Sequence, residues 1–294
     1  MDAPLTDDLT TPAPERIELD LFLEALHRRY HYDFRSYSRS SLVRRAQLVC
    51  ERLGCATLSE AQGRILRDAS LMPEVIDGMT VQVSEMFRDP SYFAALRTQV
   101  IPYLRTFPRL KVWIAGCSEG EELYSMAVLF KEEGLFDRTM FYATEINRRA
   151  LARAEAGVYP IERMAQFTAN HQKTGARTPL SDHYTAAYER VVFDRALRAN
   201  TVFAEHSLAT DSVFSEMHLI SCRNVLIYFD QDLQNRALGL FRDSLIRGGF
   251  LGLGSHETLR FSAHGGDFGS FDEGQRIWKR IASLETREEQ LRAV

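Results

Sequence analysis

From Arg88 onward, short apolar runs alternate with helical patterns, and no other feature narrows the possible folds as much. Residues 111–115 (KVWIA) read as a strand, about 121–133 as a helix, 140–144 (MFYAT) as a strand and 148–156 as a helix. Further strands are expected at 202–205, 219–222 and 250–253, with a long helix over 230–247 that Gly248-Gly249 ends. Strands that take turns with helices predict an open, doubly wound, mostly parallel α/β sheet. A last run near 276–281 is expected to join it as an antiparallel edge. Residues of about 155–200 interrupt the alternation with polar sequence and one strand-like run, 188–193, so a small β insertion is expected there. Asp89-Pro90 has the chemistry of a helix start, with Asp as cap and Pro in the first turn.

Before Arg88 the grammar is helical. Leu19, Phe22, Leu23 and Leu26 fall on one face. Ser40 or Ser41 is expected to cap a helix that ends at Gly54, and Thr57 with Glu60 forms a capping box for the next. The expected organisation is a disordered tail over 1–16, an all-helical domain over 17–78, a linker over 79–90 and a second domain over 91–294.

The 294 residues suffice for a sizeable core, and the net charge of −4 excludes a general polycation. No apolar run reaches the ~18 residues of a membrane span. The acidic, Pro/Thr-rich start is unlike a signal peptide. Cys50, Cys55, Cys117 and Cys222 form no CxxC pair and are expected to be buried thiols of a cytoplasmic protein. The scattered histidines give no metal spacing.

The stretch WIAGCSEGEELYS, 113–125, carries the first clue to function. A strand runs into Gly116, and Gly120 opens a helix, which suits a nucleoside beyond the carboxyl ends of the strands. Glu145, at the end of the second strand, is placed to bind ribose. Yet Glu119, Glu121 and Glu122 crowd the loop. A phosphate ~5 Å from one carboxylate, at an effective dielectric of ~20, would cost about 3 kcal/mol. S-adenosylmethionine has an adenosine, no phosphate, a sulfonium and an ammonium, and fits better. The other explanation is that Glu121 and Glu122 complement the helix dipole and Glu119 is solvated.

Four blocks resemble the CheR-type protein-glutamate O-methyltransferases: MTVQVSEMFRD (79–89), the glycine loop, YATEINRRALARAEAGVYP (142–160) and CRNVLIYFD (222–230). The similarity covers about 17–282. It implies a class I methyltransferase-like sheet and the esterification of glutamates on a chemoreceptor or related signalling protein. S-adenosylmethionine is the methyl donor, S-adenosylhomocysteine the product, and no metal takes part. By position it implies that Gln82, Ser84, Arg88, Gly116, Glu122, Glu145, Ser207, Leu208, Arg223 and Asn224 bind the cofactor, with the 79–90 linker contributing. Arg88 approaches the reactive end and Tyr228 faces the methyl group, so these two are the candidate catalytic residues. Gln82, Ser84 and Glu145 stand where the family has Asn, Thr and Asp. Met86, Glu119 and Leu123 stand where it has Phe, Thr and Pro. Two other readings are a module that binds the cofactor without turnover and a nucleic-acid methyltransferase. The absence of an N-P-P-Y string or a catalytic Cys motif argues against the latter.

Residues 25–67 hold nine arginines and three acids, which gives +6. A solvated face, a nucleic acid or an acidic receptor helix could each account for it. The resemblance favours the receptor, with no nucleic acid and no insertion into the membrane. Some family members dock a receptor's C-terminal peptide on a glycine-bearing hairpin in the insertion. HYTAAYERVVF (183–193) has no glycine, so no such tether is expected.

Overall fold

The structure, a computed structural model, describes residues 13–281 and falls into two compact units that divide after Met79. Most of the expected tail, 1–12, lies outside the described residues; the first helix already begins at Pro14.

The first unit is all helical: α1 (Pro14–Tyr30), α2 (Arg39–Leu53), α3 (Leu58–Ile65) and α4 (Met72–Met79). The apolar face of α1 buries Leu19, Phe22, Leu23 and Leu26, as their spacing predicts. Helix α2 starts one residue before the expected caps. Ser38 occupies its N-cap without a side-chain bond, so Ser40 and Ser41 lie inside the first turn. Gly54 ends it at a φ of 62°. Thr57 caps α3 by accepting from Glu60 N at 3.2 Å, while the Glu60 carboxylate accepts from Ala56 N at 2.9 Å.

The arginine excess of 25–67 is local. Residues 13–79 contain ten arginines and ten acids, so the described part of the unit is neutral. Asp20, Glu24 and Glu74, all outside that window, pair with Arg39, with Arg28 and Arg35, and with Arg52. Arg44 is exposed on α2 and has no acidic partner among the described residues.

The second unit opens with irregular chain over 80–85. Helices α5 (Pro90–Ala95) and α6 (Ile101–Leu104) follow, joined by a π-turn. Asp89 does not cap α5. It adopts a φ of 56°, and its carboxylate binds Arg223 at 2.7 Å instead. Then come β1 (Leu110–Ala115), α7 (Glu121–Glu132), β2 (Thr139–Glu145) and α8 (Arg148–Ala156). The insertion holds β3 (Val158–Pro160), α9 (Met164–Lys173), β4 (Tyr184–Ala187) and β5 (Arg190–Phe193), and its three strands form a separate antiparallel sheet. The chain ends with β6 (Thr201–Glu205), β7 (Met217–Cys222), α10 (Gln231–Ser244), β8 (Leu245–Leu253), β9 (Phe268–Asp272) and β10 (Ile277–Arg280).

The main sheet has the order β6-β2-β1-β7-β8-β10-β9. Pairings from β6 through β8 are parallel, and β10 runs antiparallel to both its neighbours. This is the doubly wound, mostly parallel sheet that the alternation predicts, and the class I methyltransferase-like one that the resemblance implies. Three details differ. β10 is not the edge, because β9 pairs outside it; FGSFD is short and polar enough to have passed for loop. The long helix stops at Ser244, since Leu245 turns extended and pairs with Met217. Gly248 then lies inside β8, at a φ of 81° where the register with β7 shifts. Cys117 and Cys222 are buried, but Cys50 and Cys55 are only half-buried.

Candidate active site

β1 is paired with β2 on one side and β7 on the other, so the chain reverses its direction of winding there. The crevice beyond the carboxyl ends at such a point is where an open α/β sheet binds ligands. The loops that follow β1, β2, β6 and β7 carry most of the expected residues.

Gly116 turns the chain at a φ of 72°, and Gly116 N and Cys117 N both donate to Thr144 O at 2.9 Å. A Cβ on Gly116 would stand 2.6 Å from Val225 Cγ2, so the loops after β1 and β7 meet at this point. Only glycine allows both the dihedral and the approach.

Glu145 closes β2 with a buried carboxylate that accepts from Ser118 N, Ile146 N and Asn147 N, each at 3.0 Å. Burial pushes its pKa up, and the backbone bonds pull it back. Ser118 Oγ donates to Gln82 Oε1 at 2.6 Å, so Gln82 and Glu145 hold one residue of the loop from two sides. The Gln82 amide also donates to Thr80 Oγ1 at 3.2 Å, and Thr80 Oγ1 accepts from Asn147 Nδ2 at 3.0 Å.

None of the three acids of the glycine loop is unpaired. Glu119 meets Arg153 at 2.8 Å, Glu121 meets Arg163 at 2.8 Å, and Glu122 meets Arg223 at 3.2 Å. Each carboxylate thus has an arginine brought from elsewhere in the fold. This removes the premise that the loop's charge is uncompensated without a cationic ligand. Glu122 also accepts from Ser221 Oγ at 2.6 Å. Glu121 is buried with one oxygen lacking a partner, and burial raises its pKa.

Arg223 was expected to line the cleft, but its guanidinium is buried. It donates to Glu122, to Asp89 at 2.7 Å and to the Arg88 carbonyl at 2.9 Å, and it stacks 4.2 Å from the Tyr92 ring centroid. It therefore ties the 88–89 backbone to the start of α7. The Arg88 side chain is half-buried, and its guanidinium makes no hydrogen bond or ion pair with any described residue. The hydroxyls of Tyr228 and Ser84 are likewise without a partner among the described residues. Ser84 O accepts from Arg163. Ser207 forms a tight turn past β6, with its N–H on Asp211 at 2.9 Å, and Leu208 is buried. The pairing of Glu145 with Glu205 puts that turn beside the end of β2.

Asn224 sits at a φ of 62°, and what holds it there is a residue the sequence did not flag. Glu257 is buried after β8 and accepts from the N–H groups of Asn224, Val225, Leu226 and Gly254 at 2.6–3.0 Å. Its only signal was an acid four residues past an apolar strand end. Arg163 was missed too, being in the insertion and 42 residues from Glu121.

Residues 82–271 match the family described as CheR methyltransferase, SAM binding domain, and residues 17–80 match CheR methyltransferase, all-alpha domain. The chain is 49% identical over 272 residues to Cher3 of Pseudomonas putida, which carries the name of a methyltransferase; the match covers 92% of this chain and 100% of that one. A chemotaxis protein methyltransferase of Listeria innocua is 32% identical over 240 residues, covering 81% of this chain and 88% of its own. Chemotaxis protein methyltransferase 1 of Vibrio cholerae is 29% identical over 199 residues, covering 66% and 70%.

Proposed function

Because the chain belongs to the CheR methyltransferase family, we propose that it transfers a methyl group from S-adenosylmethionine to glutamate side chains of a chemoreceptor or related signalling protein. The residues at the strand ends fit that cofactor. A carboxylate offers about four acceptor sites, and Glu145 uses three, which leaves one for a ribose hydroxyl. Glu122 keeps acceptor capacity for the ammonium end despite its pairing with Arg223. Gln82, Ser84 and Gly116 complete the cofactor side, so the segment over 79–90 belongs functionally to the second domain. Ser207, Leu208 and Asn224 flank the nucleoside, and Arg223 acts through Glu122.

The cofactor supplies an electrophilic methyl on a sulfonium. The acceptor glutamate is already ionised at neutral pH, so no general base is required. The protein's task is to align a carboxylate oxygen with the methyl group, which can supply up to roughly 7–11 kcal/mol in ideal geometry. The observation that carries this reading is Arg88. Its backbone is pinned by Arg223, while its guanidinium has no partner among the described residues and is free to clamp a carboxylate. Tyr228 contributes a hydroxyl near the reacting centre.

The partner is an acidic helical surface met by α2, where exposed Arg44 carries charge unmatched by a neighbouring acid. The hairpin β4–β5 lacks glycine and serves no C-terminal peptide tether. No helix among the described residues is long and apolar enough to cross a membrane, in keeping with action from the cytoplasm on a receptor's inner domain. The test is incubation with radiolabelled S-adenosylmethionine and chemoreceptor-containing membranes. Label in receptor that mild alkali releases as methanol supports a glutamate ester. Label in nucleic acid, or binding without transfer, would replace this reading with one of its rivals.

A further inference from the structure

We propose that Glu257 is a positioning residue: its carboxylate fixes the loop carrying Asn224 and Tyr228 against the glycine turn at Gly116, and so sets the spacing of the cofactor cleft. The inference rests on the reading of that cleft given above. Glu257 is 4% exposed and lies in the turn that follows β8, one strand away from the loop it holds. Oε1 accepts from Val225 N at 2.9 Å and Leu226 N at 2.7 Å; Oε2 accepts from Asn224 N at 3.0 Å and Gly254 N at 2.6 Å. Four donors fill the carboxylate, and no arginine, lysine or histidine among the described residues pairs with it.

Three consecutive N–H groups converge on one anion when the backbone folds into a concave nest, and a left-handed residue can shape one. Asn224 supplies that residue at a φ of 62°, a conformation that a side chain other than glycine adopts at a cost. The anion offsets that cost. Gly254 completes the fit, because a Cβ there would stand 2.8 Å from Asn224 N and 2.9 Å from Glu257 Oε2. Beyond the nest, the Val225 side chain seats on Gly116 so closely that no Cβ fits between them. Tyr228 N closes the loop on Val225 O at 3.1 Å. Removing the carboxylate therefore frees four donors, three of them in the loop, lets Asn224 leave its left-handed conformation and moves Val225 off the glycine turn. Both walls of the cleft change their separation.

The test uses the full chain at a temperature where it is folded. Calorimetry with S-adenosylhomocysteine on the wild type first examines the reading underneath; no binding there would overturn that reading. Hydrogen exchange at residues 224–226 needs no ligand and decides separately whether Glu257 holds the loop. Glu257→Gln puts an amide donor against backbone donors. It should raise exchange at 224–226 by at least about tenfold and weaken S-adenosylhomocysteine by about tenfold, the size expected for losing a charged hydrogen bond. Val225→Ala keeps the four hydrogen bonds, removes only the methyl groups on Gly116, and should weaken binding several-fold, so it stands in if Glu257→Gln does not fold. A role in stability alone would lower Tm and leave the Kd unmoved. Unchanged exchange and Kd in folded Glu257→Gln, or an unchanged Kd in Val225→Ala where that variant stands in, overturns the proposal.

Discussion

Two pairs of buried carboxylates in the second unit are stabilised in opposite ways. At the far end of α7, Glu132 and Glu133 are matched by charge: Arg97 binds both, at 2.5 and 2.7 Å, His171 lies 3.2 Å from Glu132, and Arg105 and Arg177 reach Glu133. At the strand ends, Glu145 and Glu257 are held mainly by backbone N–H groups, seven in all, and no cationic side chain pairs with either among the described residues. The first arrangement cross-links α7 to the π-turn and the insertion. The second fixes the path of loops, because a carboxylate that accepts from successive amides dictates their dihedrals. Burial opposes ionisation at Glu132, Glu145 and Glu257 alike. At Glu132 the hydrogen bonds from His171, Arg97 and Thr178 outweigh it and hold the carboxyl below the usual range, whereas Glu145 and Glu257 are left raised. In these two pairs, counter-charge goes with the cross-linking of elements, and backbone donors go with the path of the loops at the strand ends.

The sharpest way to break this contrast is Arg97→Ala. It leaves two buried carboxylates without their shared cation and should cost about 3–5 kcal/mol of stability, read by denaturant melts. Affinity for S-adenosylhomocysteine should stay unchanged while the variant remains folded. Glu145→Ala should do the converse, weakening S-adenosylhomocysteine by about 1–3 kcal/mol in calorimetry with a smaller loss of stability. Unchanged affinity in the folded variant would remove Glu145 from the site.

A pH series sharpens the comparison further. Because the folded pKa of Glu145 and Glu257 is raised, the native state holds protons that the unfolded chain has released just above the ordinary carboxylate range. Their contribution to stability is full below that range and declines as pH rises through the raised values. The depressed Glu132 contributes stability above the ordinary range and loses it only as pH falls through its own lower value. As pH falls toward the ordinary carboxylate range, cofactor affinity should therefore weaken while Tm does not fall. A Kd and Tm that decline together would erase the distinction.

The smallest expected effect concerns the partner. Arg44→Glu with Arg45→Glu should raise the KM for receptor and leave cofactor affinity alone, with added salt doing the same to the wild type. The neutrality of residues 13–79 limits this to a local effect of α2 rather than of the whole unit.

The contrast also marks what could be read from the chain. Periodicity sufficed for β1, β2, β7 and α8, and resemblance brought together Gln82, Glu145, Gly116 and Asn224. Partners distant in sequence were invisible. The arginines that neutralise Glu119, Glu121 and Glu122 lie 34, 42 and 101 residues away, so the loop looked like bare negative charge. Arg223 was expected in the cleft because its position matched the motif, yet only the fold reveals that Glu122, Asp89 and Tyr92 enclose it. Glu257 carries no local pattern; its meaning comes from β8 lying beside β7. β9 escaped because five residues of mixed polarity have no period to recognise.

The most direct test of the account is methyl transfer by the wild type and by Arg88→Ala, measured as alkali-labile methanol from receptor incubated with labelled S-adenosylmethionine. The account predicts label on receptor glutamates with the wild type. With Arg88→Ala it predicts a fall of about 100-fold, the scale set by lost alignment, while the variant keeps its fold and binds S-adenosylhomocysteine within about tenfold of the wild type. Transfer at the wild-type rate by Arg88→Ala, or label that resists alkali, would contradict it.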